Sequence, residues 1–223
     1  PRRTLAKCLS VIKTAVYAPE GKIQRYYTTP DRWPHRRMWL WDSAFHGIGL
    51  RHLSPALARD AVEAVLDGQQ DDGMVPITFT HGGGRAPYTQ PPTLAMSAQL
   101  IYQSEPNREW LERIFPKLCR YLEWDMANRD SDKDGLVEWA IEPNAACRCG
   151  ESGWDNSPRF DAAKPLNAVD FNSFLARECE VVADFARLLA RPEEAAKWAA
   201  QHQRICKLMN AKLWSETHGL YLD

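Results

Sequence analysis

Three stretches of this chain concentrate side chains that can bind or act on a polar, ring-shaped ligand. Residues 39–46 read Trp-Leu-Trp-Asp-Ser-Ala-Phe-His, residues 88–93 read Tyr-Thr-Gln-Pro-Pro-Thr, and residues 151–160 read Glu-Ser-Gly-Trp-Asp-Asn-Ser-Pro-Arg-Phe. Flat aromatic faces stack on the C–H faces of a pyranose, while carboxylates and amides bind its hydroxyls. Trp39, Trp41, Asp42, His46, Tyr88, Gln90, Trp154, Asn156 and Arg159 are therefore the candidate sugar-binding residues. Trp33 and Trp139 join Trp39, Trp41 and Trp154 as loop tryptophans that no helical stripe requires. Gln90, followed by Pro91 and Pro92, is expected in an extended loop with its amide free for hydroxyls. Asp42 also has a plainer reading as a helix cap.

Asp155 is the candidate proton donor. A glycosidic oxygen leaves once protonated, and a carboxyl beside Trp154 in a loop stiffened at Gly153 can be kept neutral by desolvation. A nearby guanidinium would favour the carboxylate, so Arg159 is expected to serve substrate or Glu151 instead.

A second constellation is Asp130-Ser131-Asp132-Lys133-Asp134-Gly135, with Leu136 and Glu138 beyond it. Oxygens at alternate positions with Gly at the sixth match the first part of a calcium loop, yet Ile141 stands where an EF-hand has its bidentate Glu. The expectation is a half-loop for structural calcium formed by Asp130, Asp132, Asp134, the Leu136 carbonyl and Glu138, with Glu178 as a candidate completing ligand. A solvated acidic turn is the alternative.

These residues must be positioned by helices. Apolar residues at a period near 3.6 mark about seven of them. The first carries Leu5, Cys8, Leu9, Ile12 and Val16; the second starts near Asp42; the third opens with Ser54 as cap and Pro55 at its first position. The fourth starts at Pro92 and is apolar nearly all round, and the fifth runs from Asn107 to about Asn128 with Pro116 expected to kink or split it. The sixth follows Asp170 and the seventh follows Pro192. Strand alternation is nearly absent.

Connections alternate between long (18–41, 70–90, 129–167) and short (near 53, 105 and 191). Nested helical hairpins produce this alternation, with short turns on one face and long loops converging on the other. Helices three, five and seven read as outer and the fourth as inner. Gly73-Met74-Val75, Gly135-Leu136-Val137 and Gly219-Leu220-Tyr221 follow three outer helices, which marks a degenerate repeat. Fold class is therefore all-α: such hairpins either stack as an open solenoid or close into an α/α toroid, and residues 1–223 are expected as one partial α/α toroid whose further hairpins are not in this sequence.

Composition narrows the function classes. The chain has 223 residues, 44% hydrophobic and 26% charged, so disordered and low-complexity classes drop out. A net charge of -1 gives no reason to expect nucleic acid or an anionic membrane as partner. The six Cys are too few for a disulfide scaffold; Cys8, Cys119, Cys179 and Cys206 read as core, and Cys147 and Cys149 are spaced too tightly for zinc. The free thiols lean towards a cytoplasmic setting. Pro1-Arg2-Arg3 has neither an initiator Met nor a signal peptide's apolar run, and reads as a start within a longer protein.

The ordered segments WLWDSAFH, QPPT and ESGWDNSPRF resemble glycoside hydrolase family 63, most closely its mannosylglycerate and glucosylglycerate hydrolase branch. ESGWD is also similar to the signature of trehalases, which share the six-hairpin toroid. The resemblance implies an inverting glycosidase of small α-linked glycosides, with Asp155 as general acid and Trp41, Asp42 and His46 deep in the sugar pocket. It further implies a general-base Glu outside this sequence, so that the isolated chain is expected to be inactive, and no cofactor in the chemistry. Trehalase, oligosaccharide α-glucosidase and a non-catalytic carbohydrate-binding module are the competing readings.

Overall fold

Side chains repeating every three to four residues can be buried only against a neighbouring helix, so each amphipathic segment of this chain needs a partner. In a computed structural model, which describes residues 2–223, those partners are successive helices; Pro1 lies outside the described residues. The described residues form seven α-helices: α1 (Arg2–Ala15), α2 (Leu40–Leu50), α3 (Pro55–Asp67), α4 (Leu94–Ser104), α5 (Arg108–Asn128), α6 (Val169–Leu188) and α7 (Pro192–Lys212). Inner helices α2, α4 and α6 pack side by side, α3 lies against α5, and each outer helix returns from an inner one through residues 51–54, 105–107 or 189–191. A 2.5 Å Glu123–Lys197 ion pair links α5 to α7. This is an open arc of nested hairpins, the partial α/α toroid that is one of the two readings of the loop alternation.

Local chemistry sets the helix starts. The Ser54 hydroxyl accepts from Leu57 N–H with Pro55 next in line, and the Asn107 side chain accepts from Trp110 N–H at 2.8 Å. Thr93 makes no such bond at the start of α4; Glu178, reaching across from α6, accepts from the N–H groups of Ala95 (2.6 Å) and Met96 (2.7 Å) instead. Burial pushes this carboxyl up to about 7 against the pull of those two donors. Glu178 is thus a cap supplied by a distant helix, and the expectation that it completes the acidic turn is wrong.

Two further expectations, a split of α5 at Pro116 and a buried Cys8, fail for local reasons. Helix α5 runs unbroken through Pro116, because Pro116 and Glu112, whose carbonyl the proline cannot satisfy, both lie on the exposed face. Cys8 is exposed, since α1 leaves Leu5 and Val11 open to solvent and inserts chiefly Ile12 towards Gly49. Cys119 and Cys179 are buried as read, and Cys206 is half-buried.

The repeat after the outer helices is a shared turn. Gly73, Gly135 and Gly219 all have positive φ. The Asp72 carboxylate accepts from Met74 N–H and from Trp124 Nε1 on α5; Asp134 accepts from Leu136 N–H and from Lys212 Nζ on α7. Each acidic turn therefore ties one hairpin to the next outer helix, and His218 stands in the third copy.

Strands are reduced to two-residue pairs: β1 (Val16–Tyr17) with β2 (Tyr27–Thr28), β3 (Met38–Trp39) with β4 (Thr78–Phe79), and β5 (Trp214–Ser215) with β6 (Leu220–Tyr221), all antiparallel. The middle pair joins the first long loop to the second, and Ala86 N–H donates to Thr78 O beside it.

Candidate active site

The three long loops converge on a cleft of about 490 Å³, a volume suited to a small glycoside. The first loop and the start of α2 bring Trp39, Trp41 and Asp42, together with His35 and Arg37; the second brings Tyr88 and Gln90; the third brings Glu142, Cys147, Gly153 and Asp155. Five of the candidate residues from the sequence, Trp39, Trp41, Asp42, Tyr88 and Gln90, thus meet Asp155 in one cavity.

Backbone bonds hold this wall together. Trp41 N–H donates to Gln90 Oε1 at 3.2 Å, so one side of the amide expected to be free already bridges the first and second loops. The Gln90 carbonyl accepts from Tyr121 at 2.8 Å. Asp155 is held through its carbonyl, which accepts from Arg148 N–H, while the Arg148 carbonyl accepts from Glu142 N–H. Glu142 in turn takes Gly150 N–H at 2.8 Å. Gly153 has a φ of 71°, and a Cβ there would collide with the Trp41 indole, so only glycine lets this loop lie on that ring.

Beneath the cleft lies a polar knot that the sequence reading did not find. Glu151 is fully buried, paired with the Arg129 guanidinium, and accepts from the N–H groups of Thr89 and Ala140 at 3.0 Å each. One carboxylate therefore ties the second loop, the third loop and the end of α5 to a single point. Asp125, one turn before Arg129, is also fully buried, and neither of its oxygens has a partner. Burial first, and then the charge of Glu151, push its carboxyl well above the usual range.

Among the cleft carboxyls Asp42 is raised by burial, with His35 and local hydrogen bonds opposing. His46 is lowered by burial and its Nδ1 has no partner; it does not line the cleft. Trp154 and Asn156 turn to solvent, Trp154 being 61% exposed, so the expected desolvation of Asp155 by Trp154 is absent in this chain. Trp33 is exposed too, and Trp139 is core, stacked on Phe171 at 4.0 Å with its Nε1 on Asp170.

Arg159 differs most from expectation. Its guanidinium forms two 2.9 Å bonds to Asp170 and pairs with Asp223, away from the cleft and from Glu151. The start of α6 offers Arg159 a nearby carboxylate, whereas Glu151 is already claimed by Arg129. His35, Arg37 and Glu142 carry no motif in the sequence, and Cys147 stood out only for its close spacing to Cys149. The only signal for Arg37 was an arginine pair ahead of the Trp39–Trp41 run.

The acidic turn gathers Asp130, Asp132 and Asp134 with ligand atoms all within 4.8 Å of one another, and Asp130 Oδ1 has no partner. Glu138 is not in this group, and its Oε2 accepts from Ser131 N–H; Leu136 is buried with its N–H on Asp134. Among the described residues no helix is long and apolar enough to cross a membrane.

An arc of helical hairpins whose long loops enclose an aromatic cleft lined by carboxyls is an architecture suited to a glycosidase. Residues 34–223 match the mannosylglycerate hydrolase MGH1-like glycoside hydrolase domain, and the chain belongs to that family. The mannosylglycerate hydrolase of Thermus thermophilus is 31% identical over 167 residues, 64% of this chain and 38% of that protein. The glucosylglycerate hydrolase of Mycolicibacterium hassiacum is 30% identical over 184 residues, 67% of this chain and 39% of that protein. The chain thus spans about two fifths of the length of these relatives. The crystal structure of a GH63 mannosylglycerate hydrolase from Thermus thermophilus in complex with glucose superposes with a TM-score of 0.77 at 24% identity, over 97% of this chain and 65% of that one. A complex with Tris and D-glycerate gives 0.78 at 22% identity, covering 99% and 67%.

Proposed function

We propose that the protein containing this chain hydrolyses a small α-linked glycoside of glycerate with inversion, and that Asp155 protonates the departing glycosidic oxygen. The observation that carries this reading is the placement of Asp155 in one cavity with Trp41, Asp42 and Gln90. The rings of Trp39 and Trp41 offer stacking faces, and Asp42, Tyr88 and Gln90 offer hydroxyl partners. Membership of the family and the substrates named for its relatives supply the sugar-acid class.

Inversion needs a second carboxylate roughly 6.5–9.5 Å from the acid, with a water between it and the sugar. The family resemblance implies that this base is a Glu outside these residues; Glu142, at the cleft, accepts from Gly150 N–H. The proton runs from the Asp155 carboxyl to the glycosidic oxygen; the activated water attacks the anomeric carbon from the opposite face.

Asp155→Asn in the longest native protein that contains this chain should lower turnover of a glycerate glycoside by about 10²–10⁴-fold, the scale of a lost general acid. An aryl glycoside with an acidic phenol should lose far less. NMR of the first-formed sugar should show the inverted anomer. Near-normal turnover of Asp155→Asn on the glycerate glycoside, or a retained anomer, would overturn the assignment. Preference for trehalose would move the substrate to that alternative.

A further inference from the structure

We infer that Arg37 is the residue that selects an acidic aglycone, by pairing with its carboxylate at the cleft rim; this rests on the glycosidase reading above. Three arginines stand close together at Arg32, Arg36 and Arg37. Arg32 and Arg36 place their guanidinium carbons 5.4 and 5.9 Å from the Tyr17 ring, where they are used in packing. Arg37 lines the cleft, and among the described residues no carboxylate pairs with it.

Its backbone is nevertheless well placed. On one side His35 is held by Asp31, through a 2.8 Å contact of its ring and a 2.9 Å bond from its N–H. On the other side Met38, buried, pairs with Phe79 across the β3–β4 ladder. A planar fork of donors between two fixed points suits bidentate capture of a carboxylate.

The charges of the cleft explain why a cation is needed. Asp42, Glu142 and Asp155 are its acidic side chains, and Arg37 is its one Lys or Arg among the described residues. A neutral sugar requires no cation there, whereas an anionic ligand would, without Arg37, meet the acidic side chains of Asp42 and Glu142 with no Lys or Arg to offset them. Depth gives the orientation. Gln90 is 3% exposed and Asp42 and Trp41 are half-buried, while Asp155 and Arg37 are exposed. With the sugar against the inner group and the scissile oxygen at Asp155, the aglycone points outward to the rim that carries Arg37.

The test uses two substrates with the same sugar, one carrying glycerate and one carrying glycerol, on the longest native protein. Arg37→Gln should raise KM for the glycerate glycoside by about 10–100-fold, the worth of a charge-assisted pair, with kcat changed by less than about threefold. The glycerol glycoside should shift by less than about threefold in kcat/KM, and Arg37→Lys should recover part of the lost discrimination. Equal effects on both substrates, or no effect on either, would overturn the inference. Should the wild type cleave neither, the glycosidase reading fails first, and calorimetry with D-glycerate then decides: binding lost in Arg37→Gln supports the assignment, and binding that is absent or unchanged overturns it.

Discussion

Glu151 and Asp155 belong to one loop, yet Glu151 is fully buried with Arg129 and two backbone N–H groups on its oxygens, whereas Asp155 is exposed in the cleft wall and fixed only through its carbonyl. The carboxylate in the interior has lost its water and is satisfied by protein donors, which immobilises everything attached to them. The carboxyl at the rim has no protein partner on its side chain and stands open to the cleft. The same loop thus holds an anchor and, four residues on, the carboxyl proposed as the acid, and Gly153 between them lies in close approach to Trp41.

The largest expected effect comes from cutting the anchor. Glu151→Ala leaves the half-buried Arg129 charge and two buried N–H groups without their partner and should cost about 3–5 kcal/mol of stability. Chemical denaturation of this variant beside Asp155→Asn should show a large loss in the first and a change within about 0.5 kcal/mol in the second. Comparable losses in both would abolish the distinction between anchor and acid.

Gly153→Ala tests the joint between them. A Cβ at positive φ, pressed on the Trp41 ring, should cost about 1–3 kcal/mol and at least tenfold in kcat/KM, because the loop must lift away from the indole. Normal activity in this variant would mean that the loop need not rest on Trp41 for Asp155 to work.

The smallest effect is expected at the acidic turn near the start of the same loop. Calcium held by Asp130, Asp132 and Asp134 should add about 1 kcal/mol and raise Tm by about 2–4 °C over chelator-treated protein. An unchanged Tm would show that the turn is complete with its own N–H groups and with Lys212 on Asp134.

Much of the framework was legible because it depends on neighbours in sequence. The caps at Ser54 and Asn107 are each satisfied by an N–H three residues on, and the turns at Gly73 and Gly135 repeat a local hydrogen-bond pattern. The alternation of loop lengths was enough to place Trp41, Gln90 and Asp155 on one mouth, since hairpins of this kind leave the long loops no other face. What misled the reading was residue type without partner: Trp139, Trp154 and Arg159 sit in the right loops, yet their side chains go to Phe171, to solvent and to Asp170.

Periodicity, caps and turn residues in the sequence by themselves determined seven helices, their nesting and the three loops that carry the chemistry. Tertiary structure alone decided that Arg129 rather than Arg159 neutralises Glu151, that Glu178 caps α4 from another helix, and that Arg37 reaches the cleft while Arg36 packs on Tyr17. The physical reason is range. Helix formation and capping are settled within a few residues, whereas a long charged side chain takes whichever partner the packing of remote elements brings within about 3 Å, and that choice is not written in its neighbours.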